Sequence, residues 1–235
     1  MTVPEDNFSP RLELSFSLAC CSLIFFTAVL PAFSADLQRV LPNWLFLLLM
    51  TVPVQAANVA SCLIPVRRYP SGQTLRDTLD LKIPTGKDWD HILFGTVGVY
   101  CVLALVTGSA VYLMRKMGLD PQEQSAVEIF RSGTPQQISI LVPATVILAP
   151  VGEEFCFRYA IYRKIEQHLG YFHAVWMTSL IFAAAHLNLQ VFPSLFLLGI
   201  WLTMLYRRTG SLLAPMIAHA IFNGMSVLLI RMFAR

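Results

Sequence analysis

The stretch Ala149 to Arg163, APVGEEFCFRYAIYR, sets three charged side chains, Glu153, Glu154 and Arg158, inside an otherwise apolar run. The surrounding segment Ile138 to Tyr162 is 25 residues long; as a helix it extends about 37 Å, more than a hydrocarbon core of about 30 Å. The charges therefore fall at membrane depth and not at an end. Each opposes insertion by roughly 2.5 to 3.5 kcal/mol, about 9 together, whereas the nine or so Ile, Leu and Val residues nearby return only about 4. Other helices must supply partners. Glu154 and Arg158 stand at i, i+4 with the acid first, the favourable order for an intrahelical ion pair. Glu153, about 100° round the helix, has no local countercharge and is aimed elsewhere.

Composition agrees with a membrane setting. The 235 residues are 56% hydrophobic and only 13% charged, with a mean hydropathy of +0.61, against about 25% charged in soluble domains. Several apolar runs approach the length of about 20 residues that crosses a bilayer as a helix, and no alternating pattern suggests a barrel. The expected architecture is all-α, a polytopic helical bundle, with N-terminal helices and polar loops over 1–137 and a helical core over 138–235. A net charge of +3, spread mostly between the spans, argues against nucleic-acid binding. Five cysteines, two of them the adjacent Cys20 and Cys21, show neither a disulfide framework nor paired zinc spacing and read as small hydrophobes.

Seven spans are expected, over about 14–33, 44–65, 91–114, 138–162, 172–187, 192–206 and 212–233. Gln55 and Asn58 in the second read as packing glue, and Gly95, Gly98, Gly108 and Ser109 in the third suit close helix approach. Val66 to Asp90, with Pro70, Gly72, Pro84 and Gly86, is a polar loop. A short surface helix is expected from Pro121 to Phe130, with Asp120 as N-cap. Pro143 and Pro150 are placed to open the backbone of the charged helix near its carboxylates. Alternating the loops puts ten basic residues, Arg11 among them, on the N-terminal side and six, ending with Arg235, on the other. The bias puts the N-terminus inside the cytoplasmic membrane of a multi-pass protein.

Deep in the last spans the remaining strongly polar groups are His186, Asn188, His219 and Asn223, whereas His91, His168 and His173 sit at span ends. His219 and Asn223 share one helix face at i, i+4, as do Phe182 and His186. Two intramembrane histidines beside a diglutamate mark a site, because each polar group is costly in lipid. Two chemistries fit. In one, Glu153 and His186 hold a water, with the carboxylate as base, while His219 and Asn223 donate to the oxyanion of a cleaved amide. In the other, Glu153, His186 and His219 ligate a divalent metal such as Zn2+. There is no H-E-x-x-H, G-x-S-x-G or Walker loop.

In order on successive spans, E-E-x-x-x-R (Glu153, Glu154, Arg158), F-x-x-x-H (Phe182, His186) and H-x-x-x-N (His219, Asn223) resemble the CAAX protease and bacteriocin-processing family, also called the Abi family. The resemblance covers about residues 138 to 230. It implies an intramembrane endopeptidase with Glu153, His186, His219 and Asn223 at its centre and Glu154 and Arg158 in support. Its substrate would be a membrane-associated peptide or protein, prenylated or amphipathic, cut near the cytoplasmic half of the lipid bilayer. The rival readings are a proton- or cation-coupled transporter and a non-catalytic immunity or scaffold protein. Depth strains the assignment: by helix rise Glu153 and His219 lie about 15 and 12 Å from one membrane face but His186 about 21 Å, which agrees only if the fifth span starts deeper or tilts.

Overall fold

The computed structural model describes residues 9–68, 73–121 and 123–233, and among them the only regular structure is helical. Pro70, Gly72, Gln122, Arg235 and residues 1–8 of the polar N-terminal stretch lie outside the described residues. The long helices are α1 (Pro10–Val40), α2 (Asn43–Arg68), α3 (Asp88–Lys116), α4 (Ser125–Ser132), α5 (Pro135–Ala185), α6 (Phe192–Thr209) and α7 (Leu213–Phe233). Five of them, α1, α2, α3, α5 and α7, are long and apolar enough to cross a membrane. Their outward faces carry exposed Ile24, Phe33, Phe94, Leu105 and Leu228, the apolar surface that lipid would cover.

Helix ends follow local chemistry. At the start of α5 the Thr134 hydroxyl accepts from Gln137 N–H at 3.3 Å and the Gln137 side chain accepts from Thr134 N–H at 2.9 Å, with Pro135 next in line. This is a capping box followed by a proline whose missing N–H costs nothing there. At the other end of the bundle Gly210, with φ 59°, closes α6 in the left-handed region, which glycine enters without a Cβ penalty.

The charged segment is the axis of the fold. Phe155 to Tyr162 are all buried, as expected of a helix packed on every side, and α1, α2, α6 and the second half of α5 contact it. Asn58 of α2 is buried and accepts from the Ser22 hydroxyl at 2.8 Å, so it joins helices as expected. Gln55 meets Gly152, where an added Cβ would lie 2.9 Å from the Gln55 Cα. Of the small residues in α3, Gly95 lies against Trp201, but Gly98 and Gly108 face open space and do not mediate packing.

Three expectations shift. The surface helix runs over Ser125–Ser132 and not Pro121–Phe130, with Gln124 at its N-cap and no side-chain cap; burial of Phe130 against Leu141 and Val227 sets its position in place of the Asp120-Pro121 signal. The fourth and fifth segments form one long helix broken at Gly170, with φ 77°. The part beyond that break ends before His186, in a turn where Leu187 has φ 49°. Those roughly 14 residues extend about 20 Å, too short to cross the core alone, so a helix end and not a mid-span position carries His186.

One end of the bundle is tied together by the loop before α3. Asp80 accepts from Arg163 and, at 2.8 Å, from the Tyr206 hydroxyl, and its carbonyl accepts from Leu212 N–H at 2.8 Å. Lys164 pairs with Glu13 and Arg207 with Glu166 at the same end. The opposite end carries α4, held to α7 where Arg231 donates to the Phe130 carbonyl at 3.0 Å.

Candidate active site

Helix geometry alone brings Glu154 and Arg158 together, and their contact is 2.9 Å with both side chains fully buried. Arg158 also donates to the Gly199 carbonyl at 3.4 Å and lies 4.8 Å from the Phe182 ring centre. Gly199 is required at this crossing: a Cβ there would come within 2.9 Å of the Ser179 Cα. The guanidinium is thus held by a carboxylate, a carbonyl and an aromatic face.

The fold adds a third member that spacing could not predict. His219 Nδ1 lies 2.9 Å from Glu154 Oε1, the same oxygen that Arg158 engages. Beside Arg158 that oxygen belongs to a carboxylate, which only accepts, so Nδ1 carries the hydrogen. The opposite nitrogen, Nε2, then faces Glu153, at 3.8 Å from Oε2. Glu153 Oε2 has no hydrogen-bond partner among the described residues. Glu154 Oε2 is likewise without a partner among the described residues, so what separates the two carboxylates is Glu154 Oε1, which is held by both Arg158 and His219.

Glu153, His186, His219 and Asn223 all line one cavity of about 500 Å³, within the range of small-ligand and peptide pockets. Glu154 and Arg158 do not line it and lie behind the wall. His186 Nδ1 is 2.8 Å from the Phe182 carbonyl; a carbonyl only accepts, so Nδ1–H donates and Nε2 is left as an acceptor. Asn188 turns away to the connection, accepting from Val191 N–H at 3.3 Å.

Asn223 has a local cause. Residues Ala144–Leu148 form a π-helical turn, in which Ala149 N–H reaches back to the Ala144 carbonyl. The next carbonyl, Thr145, would be served five residues on by Pro150, which has no N–H. The Asn223 side-chain NH2 fills the vacancy, donating to the Thr145 carbonyl at 2.9 Å. Proline thus opens the backbone beside the carboxylates, as expected, and the opening orients Asn223. Among the described residues the second of its two side-chain N–H groups has no hydrogen-bond acceptor.

For a metal the fit is incomplete. Among the described residues no three His, Cys, Asp or Glu side chains converge as ligands, so Glu153, His186 and His219 do not form a ready metal centre.

The cavity runs from these groups toward the α4 end, past Thr145, Ser226, Val227 and Phe130. Sequence reasoning missed one wall, contributed by Tyr100, Leu103, Ala104 and Thr107 of α3. Their i, i+3, i+4, i+7 spacing marks one helix face, but in an apolar span every face is apolar and the signal is lost.

Comparison with known families settles on the segment that holds this constellation. Residues 135–225 match the family model of the Rce1-like type II CAAX prenyl endopeptidases. The resemblance read from the three motifs is borne out, and every motif residue lies inside the Rce1-like segment. Among curated relatives, YdiL of Bacillus subtilis, named as a membrane peptidase, is 24% identical over 59% of this chain and 56% of its own length. The membrane-embedded CAAX protease MroQ of Staphylococcus aureus is 25% identical over 60% of this chain and 56% of its own. An uncharacterized 24.3 kDa protein of Escherichia coli is 29% identical over 54% and 58%. The chain thus spans a little over half the length of these relatives. No solved structure matches it significantly.

Proposed function

We propose that this chain is an intramembrane endopeptidase that hydrolyses a peptide bond of a membrane-associated protein with water activated by Glu153. The observation that carries the reading is the asymmetry of the diglutamate: Glu154 is tied to Arg158 and His219 behind the wall, while Glu153 lines the cavity beside His186, His219 and Asn223. Prenylated or amphipathic substrates fit the reading through the Rce1-like match and the apolar cavity.

In this mechanism a water sits between Glu153 and the free Nε2 of His186. Glu153 takes its proton as the oxygen attacks the carbonyl carbon. Arg158 offsets Glu154, since uncompensated charge is costly in lipid. The remaining Asn223 N–H serves the developing oxyanion, and His219, oriented from behind by Glu154, flanks the attacked carbonyl. The proton held by Glu153 passes to the leaving amine as the C–N bond breaks, so protons balance without another reactant. The open arrangement around Glu153, His186 and His219 supports this water-based reading over a metal-bound one.

The basic bias of ten residues to six supports an N-terminus inside the cytoplasmic membrane. In that orientation the cavity runs from mid-depth toward the outer end, where α4 lies, and not through the cytoplasmic half as the motif positions suggest.

The test is cleavage of single-span reporter proteins by the purified chain in proteoliposomes. Cleavage that disappears in Glu153→Gln supports the reading. Cleavage unaffected by that substitution removes it, and ion flux that depends on Glu153 without any cleavage favours a transporter.

A further inference from the structure

We propose that Tyr100, with Phe222, forms the wall that selects the substrate side chain beside the scissile bond; the inference rests on the endopeptidase reading. Tyr100 belongs to α3, outside the Rce1-like segment, yet it lines the same cavity as Glu153 and His219. Its ring lies 5.1 Å from that of Phe222, tilted by 57°.

Position on α7 places this pair next to the chemistry. Phe222 follows His219 by three residues and precedes Asn223, so it stands one helical turn from the imidazole, with Cβ atoms about 5 to 6 Å apart. A carbonyl attacked beside Glu153 and His219 has its flanking residues about 3.3 to 3.8 Å away along an extended chain. The first flanking side chain therefore meets the aromatic pair.

Rigidity gives such a wall its discrimination. On one side of Tyr100, Gly95 is pressed against Trp201 so closely that a Cβ would lie 2.7 Å from the indole. On the other, Thr107 and Ser194 share a hydroxyl hydrogen bond of 2.6 Å, and Ser194 donates to the Leu103 carbonyl at 3.1 Å. α3 is thus fastened to α6 both before and after Tyr100, which fixes the backbone from which the ring projects. No described residue hydrogen-bonds the phenol.

The experiment uses the full chain in proteoliposomes with single-span reporters carrying an eight-residue randomised segment, the cut sites being read by mass spectrometry. Tyr100→Ala should raise cleavage beside Phe or Trp relative to Ala by at least about tenfold at one flanking position, the scale on which apolar pockets discriminate. Tyr100→Phe keeps the ring and should keep the wild-type profile. Glu153-dependent cleavage whose profile is unchanged in Tyr100→Ala, or is lowered equally at every site, overturns the wall alone. If the wild type shows no Glu153-dependent cleavage, the endopeptidase reading falls and this assignment falls with it.

Discussion

His219 donates its Nδ1–H to Glu154 Oε1 at 2.9 Å, and the same oxygen accepts from Arg158 at 2.9 Å. A residue of α7 is thereby locked to an ion pair that is internal to α5. The lock fixes which way the imidazole faces and so sets Nε2 toward Glu153. A buried carboxylate that orients a histidine from behind is a recurrent device where the other ring nitrogen must act.

The two glutamates should respond differently to the same substitution. Glu154→Gln leaves Arg158 buried without its countercharge, and breaking a buried pair costs about 3 to 5 kcal/mol. We expect a large fall in melting temperature of the detergent-solubilised protein together with loss of cleavage. Glu153→Gln should melt as the wild type does and lose about 10²-fold or more in kcat. Equal melting of both variants would show that the division between them is wrong.

Pro150→Ala restores a backbone N–H five residues after Thr145, where it competes with Asn223 for the Thr145 carbonyl. Stability should hold or rise, while cleavage falls because Asn223 loses its anchor. Asn223→Ala leaves that carbonyl unpaired, a cost of about 1 to 3 kcal/mol. A Pro150→Ala protein with wild-type kcat would contradict the anchoring of Asn223.

Gly152→Ala drives a methyl into the backbone of α2 at Gln55, which cannot yield as a side chain would. Overpacking of this kind costs about 1 to 3 kcal/mol. Gly98→Ala, facing open space, should be neutral or slightly stabilising. Paired melting curves of the two variants check the contrast.

Cysteine labelling reports the direction in which the cavity opens. In a background lacking the five native cysteines, Ser226→Cys should react with a membrane-impermeant maleimide added outside intact cells. Lys82→Cys, at the Asp80 end of the bundle, should react only after lysis. The reverse pattern would invert the proposed orientation.

The sequence by itself determined the helical membrane class, the Glu154–Arg158 pair and the short roster of polar residues in the last spans. These rest on local terms: apolar length, the i, i+4 period, and the cost of charge in lipid, each readable from neighbours along the chain. Tertiary structure decided which groups meet. It joined His219 to Glu154 as well as facing it to Glu153, and placed His186 at a helix end beyond the Gly170 break. It also gave Asn223 the carbonyl that Pro150 leaves vacant, and brought Tyr100 from α3 into the wall. None of these was legible in advance, because a span apolar on every face has no period that reveals which side it buries, and contacts between helices depend on their rotation and depth. A single glycine crossing or π-helical turn changes both.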